Sequence, residues 1–395
     1  MSILIFTKSI NCNGGVEKVV DWHCKWLLKK KYKVTIIALN SIGADKFTSI
    51  NYPFISKCYS KLVPSFFSLN FGLGQIKELF IQFKKNSKVI IYLPFLNGLI
   101  SLIIIFFLYK ILKIKLPKII FYHAATPSNN FLARSIYLLF SWIIFKIHPK
   151  TKLISHTASD SNNNFANFLK KKIYINAIPV TIIDKRFYKY NFIEKDEHEK
   201  RALPSFLEKY SLNGFLSVYV GRLSKYKGLT KLVDCVQFLK SNITILIAGE
   251  GKESYKIKKS IKNYPVEIQR KIIFLPRFLK ESEKFDLLSK SDIFLFPSIN
   301  KGEAYGIAQL EALCIGIPII NNYLGTGVNS IVHHNKHSYT SFKNKPQELA
   351  ANIDKMCNAI EQKKECFSPN NLRNYVLNNF SEEKLYLEFI KIFDL

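Results

Sequence analysis

The sequence predicts an α/β chain made of two doubly wound parallel-sheet domains. Near its start the apolar run 3–6 is followed by Asn13-Gly14-Gly15, a helical pattern at 16–30 and a second apolar run at 34–39. Strand, glycine turn, helix and strand in that order form a right-handed βαβ unit of a parallel sheet. From Phe215–Val220 onward the same alternation begins afresh. The length of 395 residues is long for one core and suits two.

The elements follow in order. Residues 89–93 read as a buried strand that leads, through Pro94 and Asn97-Gly98, to a hydrophobic helix at 99–112. Nothing from Val89 to Tyr109 is charged, so a membrane span competes with this reading, and the breaks at Pro94 and Asn97-Gly98 count against it. A second apolar stretch, Phe131–Ile147, is interrupted by Arg134, Ser135 and Ser141. Lys110, Lys113, Lys115 and Lys118 follow the first stretch, and Lys146, Lys150 and Lys152 lie at the end of the second. Apolar helices with basic flanks suit a lipid-facing surface, and equally the core helices of a lysine-rich protein.

The polar run 191–200 is the candidate hinge between domains. Beyond Phe215–Val220 the pattern gives a helix at 229–239, the strand Ile243–Ala248, strands at 271–275 and 292–296 around a helix at 282–290, a helix at 306–315, a strand at 318–321 and the last helix Glu382–Phe393. The expected domains are residues 1–200 and 201–380, with a terminal helix at 381–395 that packs back on the first.

Composition narrows the function. Hydrophobic residues make up 48% and aromatics 14%, which excludes global disorder. Seven cysteines, without a C-x-x-C pair, suit a reducing cytosol better than a disulfide framework. The run that opens the chain is too short for a signal peptide. The net charge of +29 admits nucleic acid, anionic lipid or acidic small ligands as partners. Enrichment in Lys, Ile, Asn and Phe, as from an AT-rich genome, explains part of that charge without any function. No nucleic-acid module is recognisable, so nucleic acid is not expected as a partner.

Three groups of residues carry chemistry. Pro297 through Ala312 follow a strand and open a helix, which places the amides of Ala304, Tyr305, Gly306 and Ile307 where a helix mouth binds anions. Glu303 stands just ahead of that helix and Glu311 about two turns into it, and carboxylates accept hydrogen bonds from vicinal diols. Gly221-Arg222-Leu223 with Lys227-Gly228 forms a second loop after a strand, where Arg222 offers a planar fork and Lys227 a point charge to phosphate. His333-His334-x-x-His337 has metal-ligand spacing but no nearby Cys or acidic partner, so it reads as a polar loop. No D-x-D motif is present, and metal independence is the expectation.

Together, Gly221-Arg222-Leu223, Lys227-Gly228, Ala248-Gly249-Glu250-Gly251 and Glu303-x7-Glu311-Ala312 resemble the retaining glycosyltransferase family 4, of the GT-B fold. Gly316-Ile317-Pro318 and Gly325-Thr326-Gly327-Val328 add a likeness to bacterial enzymes of surface-polysaccharide assembly. The likeness is strong over residues 215–330; earlier it rests on Asn13 to Glu17, His123 and the order of elements. It implies two Rossmann-like domains facing a cleft, with no cofactor beyond a UDP-, GDP- or dTDP-sugar donor. It implies that Arg222 and Lys227 bind the donor diphosphate, that Glu311 binds ribose, and that Glu303 holds sugar hydroxyls beside the amides of Tyr305, Gly306 and Ile307. Gly14 and Gly15 would let the first loop pass close to the substrates, and His123 would stand beside the sugar. Leu275 and Arg277 mark the base pocket, where Pro276-Arg277 departs from the usual glycine-containing pattern. The basic, apolar first half, taken with the resemblance, points to a lipid-linked saccharide acceptor and a peripheral place on the anionic inner face of the bacterial inner membrane. A nucleotide-sugar epimerase and a non-catalytic scaffold of the same fold are the rival readings.

Overall fold

The computed structural model describes residues 1–9, 15–40, 73–93, 96–123, 131–155, 157, 159–175, 183, 185–189, 205–208, 210, 212, 214–301 and 303–394. Gly14, Pro94 and the candidate hinge at 191–200 lie outside them. The chain forms two compact units, Met1–Ile178 with Leu385–Leu395, and Pro179–Lys384.

The first unit is built on six parallel strands: β1 (Ser2–Ser9), β2 (Lys33–Asn40), β3 (Lys88–Leu93), β4 (Lys118–His123), β5 (Lys152–Ser155) and β6 (Ile173–Ile175). Their spatial order is β2-β1-β3-β4-β5-β6, so the winding reverses between β1 and β3. The helices are α1 (Gly15–Lys29), α2 (Leu73–Lys85), α3 (Leu96–Ile111), α4 (Phe131–Ile147) and α5 (Asp160–Phe168). The helix expected at 99–112 begins three residues earlier, since Asn97-Gly98 falls in a first turn whose amides have no helical partner in any case. Strands buried on both faces read as continuous apolar runs, and Ile90, Ile91, Ile120 and Phe121 are all fully or almost fully buried.

The second unit repeats the plan with β7 (Phe215–Val220), β8 (Ile243–Ala248), β9 (Ile272–Leu275), β10 (Ile293–Phe296), β11 (Ile319–Asn322) and β12 (Ser338–Ser341), in the order β12-β11-β10-β7-β8-β9. Its helices of five residues or more are α6 (Leu229–Cys235), α7 (Ser254–Lys262), α8 (Glu281–Ser289), α9 (Ile307–Cys314), α10 (Gly327–Ile331), α11 (Pro346–Glu361) and α12 (Pro369–Phe380), with single turns at Lys185–Tyr188 and Val266–Gln269. The helix expected at 229–239 tightens into a 3-10 turn at Val236–Phe238. Here the winding reverses between β7 and β10. Loops leaving the C-terminal ends of those two neighbours border the crevice where doubly wound sheets bind ligands.

The last helix, α13 (Glu382–Phe393), lays Phe389 against Trp22 and Trp26 of α1, with ring centroids 5.9 and 4.8 Å apart. Its end is held by the first residues of three adjacent strands. Lys88 donates to the carbonyls of Phe393 and Asp394, while Lys118 and Lys152 reach the Asp394 carboxylate at 3.1 and 2.6 Å. Cations complement a helix C-terminus. Burial lowers the Lys88 amine to about 8. Lys118 and Lys152, two of the lysines that flank the apolar stretches in the sequence, are therefore committed to the end of α13.

Backbone meets backbone where β7 and β8 end. Gly221 N donates to Ala248 O at 3.1 Å, and Leu223 N to Glu250 O at 2.7 Å. A Cβ on Gly249 would lie 1.8 Å from Gly221 O, at a φ of +147° that side chains rarely adopt. Gly249→Ala should therefore lower the unfolding free energy by at least about 2 kcal/mol. Denaturant titration of both proteins checks this, and an unchanged midpoint would show that the two loops move apart freely.

Candidate active site

Arg222, Lys227 and Glu303 sit on the loops that follow β7 and β10, Glu311 on α9, and Leu275 and Arg277 at the end of β9. Tyr219, near the end of β7, is buried and donates its hydroxyl to Arg222 O at 2.9 Å. Burial first, and then the Glu303 carboxylate, hold this phenol well above its ordinary pKa, so it stays a donor. The same hydroxyl occupies the space a side chain at Gly221 would need. Arg222 is exposed, and its guanidinium makes no hydrogen bond among the described residues.

Lys227 reaches across to the other loop and forms an ion pair with Glu303 Oε2. Both side chains are largely buried, and Ser298 Oγ donates to the same carboxylate oxygen at 3.3 Å. The ammonium also lies 5.0 Å from the Phe296 ring centroid. A pair withdrawn from water holds its charges together more firmly than a surface pair.

The backbone under Glu303 is fixed at several points. Asn322 Nδ2 donates to Pro297 O and Ser298 O at 2.9 and 3.1 Å, Thr326 Oγ1 donates to Glu303 O at 2.7 Å, and Ile299 N donates to Tyr226 O at 2.8 Å. Ala304 and Tyr305 lead to Gly306, whose φ of 81° turns the chain into α9. The amides of Gly306 and Ile307 donate to nothing among the described residues, leaving two donors at the helix mouth.

Glu311, on α9, is 3% exposed and accepts from Lys284 Nζ at 2.8 Å. Burial alone would lower the Lys284 pKa, but Glu311 and Glu281 together raise it, so the ammonium stays charged. Leu275 is buried at the end of β9, and its carbonyl accepts from Gly249 N and Arg277 N. Arg277 itself is drawn to Glu283 at 2.8 Å and stacks over Phe206.

The structure thus unites Lys227 with Glu303, and places Arg222 on the same loop as Lys227. It adds Tyr219, Lys284 and Asn322, which the sequence reading missed, and gives partners to Ser298 and Thr326, which that reading held only as members of longer stretches. Among the three missed, Asn322 at the end of a strand, two residues past Ile320, was the one legible signal. In the first unit Gly15 opens α1, and His123 closes β4. His123 is fully buried, its Nδ1 3.0 Å from the Tyr137 hydroxyl and its ring stacked on Phe165 at 4.2 Å.

The three histidines with metal-like spacing serve the fold. His334 Nδ1 accepts from Thr340 N at 2.9 Å, His337 Nδ1 accepts from His333 N at 3.2 Å, and the His337 ring stacks on Tyr375 at 3.7 Å. A groove of about 660 Å³ at the opposite, N-terminal ends of the central strands β7, β8 and β10 is lined by Asp292 and Asp354. Both carboxylates are engaged by backbone amides, of Leu216 and of Lys240 with Ser241.

Burial, aided by His333 and Lys336, pushes the His337 imidazole down to about 4. An unfolded histidine titrates near 6.5, so between these values the unfolded chain binds a proton that the folded one refuses. This contribution is complete above about pH 6.5 and is lost as pH falls toward 4. His337→Gln should flatten thermal stability against pH across that window. A slope equal to that of the wild type would refute the assignment.

Comparison with known proteins places this geometry. Residues 208–370 match the family model described as Glycosyl transferases group 1. The D-rhamnosyltransferase of Pseudomonas aeruginosa is 32% identical over 162 residues, 40% of each chain. The capsular polysaccharide biosynthesis glycosyltransferase of Staphylococcus aureus is 23% identical over 204 residues, 51% of each. The chain spans about two-fifths to one-half of the length of the curated relatives it matches. The solved structure of Anabaena HepE in complex with UDP superposes with a TM-score of 0.72 at 14% identity and covers all of both chains, a likeness of fold. The two six-stranded parallel sheets are those of the GT-B fold, and over residues 208–370 the chain is similar to the glycosyl transferases group 1 family.

Proposed function

We propose that the chain is a glycosyltransferase that moves a hexose-type sugar from a UDP-, GDP- or dTDP-sugar to a lipid-linked or polysaccharide acceptor. In this reading it serves lipopolysaccharide, O-antigen or capsule assembly and retains anomeric configuration. The observation that carries the reading is Glu303, joined to Lys227 at the switch point of the second sheet, just ahead of two amides with no partner among the described residues. A phosphate-sized anion and a hydroxyl-bearing ring are the ligands such a set accommodates.

Arg222 and Lys227 take the diphosphate, Lys227 exchanging the Glu303 carboxylate for phosphate oxygen. Glu303 is then free to accept from sugar hydroxyls. Glu311 keeps one oxygen on Lys284 and offers the other to ribose. His123 takes the family's role beside the transferred sugar. These cations and amides supply the positive charge that a metal would otherwise bring, so the reading is metal-independent. The departing phosphate accepts the proton of the acceptor hydroxyl, which attacks the face that the phosphate leaves.

The bacterial cytoplasm, with the chain peripheral on the inner face of the inner membrane, is the proposed place of work. Five described cysteines are free thiols, four of them buried, as in a reducing compartment. A nucleotide-sugar epimerase would turn over donor without acceptor, and a scaffold would have no use for the paired Lys227 and Glu303.

The test is thermal protection by a panel of UDP-, GDP-, dTDP- and ADP-sugars. One nucleotide class should stabilise the protein by about 3 kcal/mol at a hundredfold excess over its Kd. Arg222→Ala should weaken that binding about tenfold to a hundredfold through loss of a charged hydrogen bond, with the unliganded Tm unchanged. No protection by any class at millimolar concentration would overturn the reading.

A further inference from the structure

Helices α3 and α4 pack against each other, burying Leu102, Ile105, Phe106 and Tyr109 of the one and Tyr137, Ile144 and Phe145 of the other. On an ordinary surface helix the opposite side is polar. Here it is not. Ile104, Phe107 and Ile111 recur at i, i+3 and i+7 on α3, with Leu112 beyond, while Leu139 and Trp142 stand three apart on α4. These six side chains are between 37% and 58% exposed. Lys146 completes the α4 stripe one turn on, its ammonium 5.5 Å from the Trp142 ring.

The charge of this region has one sign. No aspartate or glutamate stands between Glu78 and Asp160, a stretch with eleven lysines and arginines. Lys88, Lys118 and Lys152 are committed to the C-terminus. That leaves Lys110, Lys113, Lys115, Lys146 and Lys150 exposed where α3 and α4 end.

We propose that the outer faces of α3 and α4 form a docking surface for an anionic phospholipid bilayer. The apolar stripes enter the headgroup boundary, with Trp142 at its depth and the lysines among the lipid phosphates. The proposal deepens the function above and rests on it, since an acceptor carried on lipid is met at the bilayer. The helices lie on the membrane and do not cross it. With 16 residues, α3 is about 24 Å long, short of a hydrocarbon core of about 30 Å, and no described helix is long and apolar enough to span one. A second copy of the chain is a poor occupant, because a two-fold axis would bring lysines against lysines with no carboxylate between them.

Co-sedimentation with phosphatidylcholine vesicles, with and without phosphatidylglycerol, tests the proposal. The full chain should bind the anionic vesicles, bind neutral ones far less, and release as salt rises. The double change Phe107→Asp with Trp142→Asp should weaken binding at least tenfold and leave nucleotide-sugar protection intact. Lys113→Gln and Lys146→Gln should each weaken it roughly fivefold. Indifference to anionic vesicles, or a double variant that binds as the wild type does, would overturn the proposal. So would a double variant that loses only self-association in analytical ultracentrifugation, which would make the face a contact between copies. Vesicle binding without any nucleotide-sugar protection would uphold the surface and count against the catalytic reading alone.

Discussion

Nearly all buried carbonyls and amides find a partner, and beyond the ends of β7 and β10 the sheet no longer provides one. The loops therefore satisfy each other. Ile299 N takes Tyr226 O, the Asn322 amide takes two carbonyls of the β10 loop, and Thr326 takes the carbonyl of Glu303 itself. The Tyr219 hydroxyl does the same for Arg222. Arg222, Lys227 and Glu303 are consequently borne on one interlocked piece of backbone, although they are up to 81 residues apart in sequence. A site held in this way needs little ordering when a ligand arrives, which is the physical content of preorganisation.

The same need explains two unusual carboxylates. Glu303 and Glu311 are both withdrawn from water, and each has a lysine, Lys227 and Lys284, supplied by a different element. Removal of either lysine would leave a carboxylate without its counter-charge in a place that solvates it poorly, a change that costs more than the pair itself contributes. The ion pairs are thus conditions for keeping acidic groups beside a helix mouth rather than devices for stability.

Legibility in the sequence followed the range of the forces. Phe215–Val220, Ile243–Ala248, Phe131–Ile147 and Glu382–Phe393 lie where their apolar patterns put them, because burial on a sheet or along a helix stripe is a local requirement. The glycines of Ala248-Gly249-Glu250-Gly251 were visible as a motif, but their reason, carbonyls of the neighbouring loop at the Cβ position, is a contact between strands. Lys284 carries no mark of its own, and Thr326 is visible only as a member of Gly325-Thr326-Gly327-Val328, since each acquires its role from a partner brought to it by folding, 27 and 23 residues away. Arg277 shows the converse: a basic residue at the expected strand end, but engaged by Glu283 as part of the start of α8.

Charge is where sequence alone misleads most, because a net value says nothing of placement. Lys118 and Lys152 look like the other lysines around the apolar helices, but β4 and β5 begin with them, and the parallel register sets both beside Asp394. Burial works against ionisation of that carboxylate, and hydrogen bonds from the two lysines hold its pKa below the ordinary value. Three strand-initial lysines, Lys88 included, thus secure the end of α13, whose Phe389 and Phe393 close over His23. Lys88, Lys118 and Lys152, at the starts of strands, have their partners, whereas Lys110, Lys113, Lys115, Lys146 and Lys150 stand exposed at the ends of α3 and α4. Five exposed lysines of the first unit thus border a helical face whose exposed side chains are apolar, and it is this coincidence, more than the net charge of +29, that gives the face a direction.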